Sequence, residues 1–401
     1  MKYIILIGDG MADYPLKELD NLTPLQAAQT PSMDSIATRG KIGLVQTIPQ
    51  GLPPGSDIAN LSILGYDPNH YLTGRAVYEA ASAGVTLESS DIAFRCNLVT
   101  LKERNNSTVM EDYSAGHIPT DEARKIIAEL NHRLGSDEIH FYPGVSYRHL
   151  MVWKGGSEML ETTPPHDITG RDISSFLPRG AGSETILPLM EEAKQILQET
   201  LLKKVPVRTP QSSANAIWLW GQGKPIRLPP FREKFGLTGS VISAVDLIKG
   251  IGITLGLTSV AVPGATGYLD TNYRGKAEYA LKELQHKDFL FVHVEAPDEA
   301  AHTGDLKNKI RAIEDFDAKV VKTVLEGITQ FDEYKVLVLP DHRTPIVKKT
   351  HTAEPVPFAY CTSRDVSEGS TLPMQFNELT AEKSGLFLDQ GSHLMDLFIA
   401  S

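Results

Sequence analysis

Three short apolar runs, each closed by an aspartate, constrain this chain more than anything else in it. The first is Tyr3 to Ile7, followed by Gly8, Asp9 and Gly10. The second is Phe289 to Val294, followed by Glu295, Ala296, Pro297 and Asp298, with His302 one helical turn further on. The third is Lys335 to Leu339, followed by Pro340, Asp341 and His342. Runs of this length, rich in aliphatic, β-branched and aromatic residues, read as strands buried on both faces, the pattern of a parallel sheet. Proline cannot donate to a ladder but is tolerated where a helix begins, so Pro297 ends a strand and opens a helix. Asp298 and His302 then share one face of that helix. Open α/β sheets put their ligand sites at the carboxyl ends of the strands. Three carboxylates therefore meet at one edge, joined by His302, His342 and His351, the last in a loop between Pro345 and Pro355. One Asp-x-x-x-His reads as a helix cap and a solvated histidine. Three such strand ends, offering oxygen and nitrogen donors together, read as a site for two divalent metals.

A chain of 401 residues exceeds one ordinary core, which predicts two domains. The net charge of −11 argues against nucleic acid as a partner, because a nucleic-acid binder presents a basic face. An anionic small molecule stays possible where local arginines hold it. No stretch approaches the roughly 20 apolar residues of a membrane span, and the first apolar run is too short for a signal peptide. Cys96 and Cys361 lie in strand-like surroundings and read as reduced core residues, so a cytoplasmic protein is expected.

Between the first and second aspartate runs lies Pro49-Gln-Gly-Leu-Pro-Pro-Gly-Ser56, feeding a helical pattern of Ile58, Leu61 and Leu64. A hydroxyl at a helix start faces free N–H groups, an anion site in waiting. On its own Ser56 reads as an N-cap; beside a metal pair it becomes a nucleophile candidate. From about Ile92 to about Pro210 strands and helices alternate without any metal-type cluster, which predicts an inserted α+β domain over 92–210 within a core of 1–91 and 211–401. Its cationic and imidazole residues, Arg95, His117, Arg148, His149, His166 and Arg179, are candidates for holding an anionic substrate; several sit in glycine or proline loops, where binding residues concentrate. Lys276, heading a helix that runs to Gln285, is a further candidate contact. The pattern also predicts a core strand over 214–220, a helix over 241–251 and one long amphipathic helix over 310–326. Gly221-Gln-Gly-Lys224 is too sparse for a P-loop, which weakens any ATP-dependent reading.

Asp9 after a strand, Gly-Ser-Asp-Ile-Ala-Asn around Ser56, Glu-Ala-Pro-Asp-Glu-Ala-Ala-His and Leu-Pro-Asp-His resemble the alkaline phosphatase superfamily of metalloenzymes. Within it, Leu61-Ser-Ile-Leu-Gly-Tyr-Asp-Pro68 and Trp218-Leu-Trp-Gly-Gln-Gly look like the archaeal-type cofactor-independent phosphoglycerate mutases. The resemblance implies an α/β fold, an alkaline-phosphatase-like core with a mostly parallel sheet flanked by helices. It implies one metal on Asp9, Ser56, Asp341 and His342, and another on Asp298, His302 and His351. Manganese is the expected ion, with zinc, magnesium and cobalt as alternatives, and Ser56 is the expected phosphorylated nucleophile. The implied reaction is the interconversion of 3-phosphoglycerate and 2-phosphoglycerate, a small phosphorylated substrate, with the inserted domain binding it. The rival within enzymes is a metal-dependent phosphatase or phosphotransferase on another small alcohol, such as homoserine. The rival outside them is a non-catalytic metal-binding protein, which an intact Ser56 beside a full donor set disfavours. The oligomeric state stays open.

Overall fold

The three aspartate runs form adjacent strands. In the computed structural model, which describes residues 1–201, 214–368 and 373–400, Lys2–Gly8 lies between Phe289–Val294 and Tyr334–Leu339, parallel to both. The register sets Ile7 against His293 on one side and Leu339 on the other, so the three chains leave the sheet at one level. Ile4, Ile5, Leu6 and Ile7 are fully buried, as are Phe289 to Val294, because helices cover both faces. Each such aliphatic or aromatic side chain contributes about 1.5–3 kcal/mol relative to staying exposed. The sheet has eight strands in the order Thr258–Ser259, Gly239–Ile242, Phe289–Val294, Lys2–Gly8, Tyr334–Leu339, Val356–Thr362, Lys41–Val45, Phe387–Leu388. Only Val356–Thr362 runs against the rest.

These strands belong to a compact unit made of Met1–Leu72 and Leu228–Ser401. The second unit is Thr73–Arg227, inserted between those two segments of chain. Its long strand Asp91–Arg104 pairs antiparallel with Ser107–Asp112, Arg148–Lys154 and Ala216–Gly223, and Ile139–Val145 adds to the far side of Arg148–Lys154. Phe94, Cys96, Ile127, Met151, Ile186 and Trp218 fill its main core, with helices Thr120–Leu134 and Ser183–Leu201 supplying one side. Helix Arg75–Ser82 packs Ala76, Val77 and Ala80 against Ala93 and Leu150.

The expected boundaries at 92 and 210 are therefore too narrow. The glycine-spaced stretch after Thr73 is a helix of the smaller unit, and the strand expected in the core sheet over 214–220 is Ala216–Gly223, a ladder partner of Asp91–Arg104. The boundary residue 210 itself lies outside the described residues. The helix expected over 241–251 is strand Gly239–Ile242, then helix Asp246–Thr254. A fully buried apolar run carries no periodicity to separate the two, and here pairing of Val241 with Phe291 decides for a strand. The single helix expected over 310–326 is broken by a π turn at Asp317–Val321 between Leu306–Phe316 and Lys322–Ile328. The turn frees Asp317 to accept from the backbone N–H groups of Ser32 and Met33, at 3.1 and 2.7 Å, capping helix Pro31–Arg39.

One buried ammonium ties together the loops that leave two of the aspartate strands. Lys309, with no exposed surface, donates to Asp13 Oδ2 at 2.8 Å and to the Thr344 carbonyl at 2.8 Å. Asp13 is equally buried, so removing one partner strands a charge. Lys309→Met is expected to lower unfolding free energy by about 3–5 kcal/mol in thermal or urea denaturation, and adding Asp13→Leu to recover much of the loss. A Lys309→Met protein as stable as the parent would show that the pair holds nothing.

Candidate active site

Asp9 follows the central strand directly and Asp341 follows Pro340 on its neighbour; Asp298 stands on the first turn of helix Ala296–Thr303, whose start Pro297 permits. All three are buried. Gly10 has φ +61°, and a Cβ there would lie 2.5 Å from Thr344 Oγ1 and 2.6 Å from Asp298 Oδ1, so only glycine lets the loop pass. Its N–H donates to Asp341 Oδ1 at 3.2 Å, and Asn60 Nδ2 donates to Asp341 Oδ2 at 2.8 Å.

The expected histidines converge on these carboxylates. His302 Nε2 is 3.1 Å from Asp298 Oδ2 and 3.0 Å from His351 Nε2, while His351 Nε2 is 3.5 Å from Asp298 Oδ1. His342 Nε2 lies 3.5 Å from Asp9 Oδ1, 3.6 Å from Asp341 Oδ2 and 3.0 Å from Ser56 Oγ. Ser56 opens helix Ser56–Ile63 after the extended Gly55, which aims its hydroxyl at the cluster. The seven residues Asp9, Ser56, Asp298, His302, Asp341, His342 and His351 thus form one constellation in the larger unit. Two groups within or beside it have donor atoms mutually within 4.8 Å, Asp298 with His342 and His351, and Asp9 with His293 and Asp341. Carboxylate oxygen with imidazole nitrogen is the donor mix of borderline divalent ions.

Hydrogen bonds on the far ring nitrogens orient the imidazoles. Thr344 Oγ1 donates to Asp298 Oδ1 at 2.6 Å, so its oxygen accepts from His342 Nδ1 at 3.2 Å. His302 Nδ1 donates to the Lys349 carbonyl at 3.0 Å. Both rings therefore present Nε2 to the carboxylates, the arrangement that supports a metal ligand.

The electrostatics record crowded like charges. Burial pushes the Asp9 carboxyl well above its ordinary range, and the neighbouring charges of Asp341 and Asp298 push it further. For Asp298, burial works the same way but is outweighed by the imidazoles of His302 and His351, which hold it well below. Burial lowers His342 to about 4, leaving it neutral. For His302 burial is outweighed by Asp298, which lifts it to about 9.

The remaining candidates divide. Lys276 is not a substrate contact: it has no exposed surface, and its ammonium donates to Glu295 Oε2 at 2.7 Å and the His293 carbonyl at 2.9 Å. In the smaller unit, the Arg95 guanidinium lies 4.2 Å from the centre of the Trp220 ring and its Nε 2.9 Å from Glu79. His166 stands edge-on to Trp220 and Tyr113, at 5.4 and 6.1 Å between centroids, and His117 to Tyr147 at 5.9 Å. Arg148 lies 5.2 Å from the centre of the Tyr147 ring. With Tyr113 and Tyr147 in edge contact at 5.7 Å, these four form one row of cationic and aromatic groups. Arg179, exposed, donates Nη2 to the Ser175 carbonyl at 2.8 Å. His149 is not a cationic anchor, because burial lowers it to about 4 and its Nδ1 accepts from the Gly144 N–H.

Comparison with known proteins decides the family. The family profile of 2,3-bisphosphoglycerate-independent phosphoglycerate mutase matches residues 37–202. A Methanosarcina barkeri protein described by that name is 51% identical over 403 residues, covering 100% of this chain and 99% of its own. The chain belongs to this family. A Geobacter sulfurreducens protein described as a probable member is also 51% identical, over 399 residues, with both chains covered in full. Among solved structures, the cofactor-independent phosphoglycerate mutase of Thermoplasma acidophilum superposes with a TM-score of 0.65 at 27% identity, covering 100% of this chain and 99% of that one. A Pyrococcus horikoshii protein superposes with a TM-score of 0.82 at 26% identity, over 100% and 96%. Among the described residues no helix is long and apolar enough to cross a membrane.

Three side chains at this edge were not singled out from sequence: His293, Glu295 and Thr344. The available signal was one histidine inside an otherwise apolar strand, two residues before a carboxylate.

A metal bound by His302 would take its Nε2 lone pair, yet Asp298 lifts that imidazole to about 9 and so favours its protonated form. Divalent metal binding at pH 7.5 is therefore expected to release protons, with affinity rising as pH climbs toward 9. Manganese titration calorimetry in buffers of different ionisation enthalpy measures this, and heats independent of buffer at pH 7.5 would refute it.

Proposed function

We propose that the chain interconverts 3-phosphoglycerate and 2-phosphoglycerate without a bisphosphoglycerate cofactor, through a phosphoserine on Ser56. The observation that carries this reading is the Ser56 hydroxyl at a helix start, 3.0 Å from His342 Nε2 and amid the converging carboxylates. Asp9, Asp341, His342 and Ser56 would hold one divalent ion and Asp298, His302 and His351 the other, with manganese as our choice. Such ions ionise a hydroxyl and neutralise a transferring phosphoryl group. Ser56 Oγ forms the new bond to phosphorus as the glycerate oxygen leaves and takes up a proton. The return step reverses this at the other glycerate hydroxyl, and Ser56 is restored. Because phosphoryl transfer is mostly positioning and charge stabilisation, the chain's own task is to hold these groups still. Asn60, bound to both the Ser56 carbonyl and Asp341, and Thr344, bound to Asp298 and His342, perform that task.

Ser56→Ala is expected to abolish turnover of 3-phosphoglycerate while leaving folding and most metal affinity intact, since one ligand of several is lost but the covalent route has no substitute. The assay is a coupled one with manganese and no bisphosphoglycerate. Parental rates in the variant would end the phosphoserine reading.

In the smaller unit, the row of Arg95, His117, Arg148 and His166 is our candidate for binding the glycerate carboxylate. A charge-assisted hydrogen bond contributes about 1.5–3 kcal/mol. Arg148→Ala is expected to weaken substrate binding roughly tenfold or more and to raise released inorganic phosphate relative to 2-phosphoglycerate, because glycerate escapes before the phosphoryl group returns. Unchanged partitioning and unchanged affinity would remove Arg148 from the substrate's contacts.

A further inference from the structure

His293 sits inside strand Phe289–Val294 with no exposed surface, its ring turned toward the carboxylates that end the neighbouring strands. Asp9 divides its oxygens between two imidazoles: Oδ1 is 3.5 Å from His342 Nε2, and Oδ2 is 3.5 Å from His293 Nε2. Asp341 Oδ2 lies 3.6 Å from the first and 3.8 Å from the second. Neither ring nitrogen of His293 makes a hydrogen bond, and neither does Asp9 Oδ1. A nitrogen lone pair among carboxylate oxygens is stable only with a positive charge between them, either a proton or a metal ion.

The other side of the ring favours the metal. His293 Nδ1 is 3.3 Å from Glu295 Oε1. Glu295 is itself held from several directions, accepting from Ser243 Oγ at 2.7 Å, Ala244 N at 2.8 Å, Val245 N at 3.2 Å and Lys276 Nζ at 2.7 Å. A carboxylate so fixed beside Nδ1 leaves Nε2 as the ring atom that faces Asp9 and Asp341. His342 and His302 also present Nε2 to the carboxylates, with Nδ1 bonded to an oxygen on the far side. Donor separations of 3.5–3.8 Å suit atoms that each approach a common divalent ion at roughly 2.0–2.2 Å.

We infer that His293 Nε2 is a further ligand of the divalent cation held by Asp9 and Asp341, with Glu295, backed by Lys276, as the positioning residue that aims it. The inference rests on the two-metal reading above and adds to it a donor that reading lacks.

The test is manganese binding by the full-length chain, counting free ion by electron paramagnetic resonance and nitrogen coupling to bound ion by pulsed methods. The parent is expected to bind two ions. His293→Asn is expected to bind one of them at least tenfold more weakly and to lose one histidine nitrogen from the coupling pattern. The ion on Asp298, His302 and His351 keeps its affinity and so reports that the variant is folded. Glu295→Gln, which loosens the ring without removing it, is expected to weaken the same ion about 10–100-fold and to carry the test if His293→Asn does not fold. Two ions at parental affinity with an unchanged nitrogen pattern in both variants would make His293 an imidazolium counter-charge and overturn the inference alone. A parent that binds no ion overturns both this inference and the two-metal reading.

Discussion

The arrangement rests on a repulsion. Three adjacent parallel strands end at one level and deliver buried carboxylates to the same small volume. Two like charges about 4 Å apart cost about 4 kcal/mol at an effective dielectric of 20. The molecule meets that cost by surrounding the group with imidazoles and by placing buried ammonium groups behind it. Lys276 neutralises Glu295, and Lys309 neutralises Asp13. Asp9 resists ionisation because it is buried and because Asp341 and Asp298 crowd it with like charge.

The smaller unit solves a different problem with different chemistry. It sets arginines over ring faces instead of gathering acids at strand ends, Arg95 buried within strand Asp91–Arg104 and Arg148 exposed at the start of strand Arg148–Lys154. Arginine over an aromatic face keeps its charge while losing little freedom.

How much of this was legible depends on whether the deciding contact was local. Asp9, Asp298 and Asp341 stood out because apolar runs punctuated by glycine and proline mark strand ends without knowledge of the fold. His302 followed from helical spacing, and Ser56 from glycine before a helical pattern. Strand Ala216–Gly223 was assigned to the wrong sheet because its partner lies more than a hundred residues earlier, and an isolated apolar strand does not announce its neighbour. Strand Gly239–Ile242 was hidden in a run long enough for a helix. Lys276 reads as a candidate substrate contact because the carboxylate that draws it inward, Glu295, arrives from a different strand end. His293 disappeared among apolar neighbours for the same reason: its meaning lies in Asp9 and Asp341, which are distant in sequence.

Gly10 carries a consequence for how such a chain can vary. Its left-handed backbone, with Thr344 and Asp298 both inside the space of a single added carbon, leaves no substitution that the loop can absorb by a small shift. No other amino acid lacks a Cβ, so this position has no neighbouring residue to drift to. A homologue with any side chain at this point must have rebuilt the crossing between two strand ends. The residue with no functional group is therefore a sharper marker of descent with the site intact than several of the residues that have one.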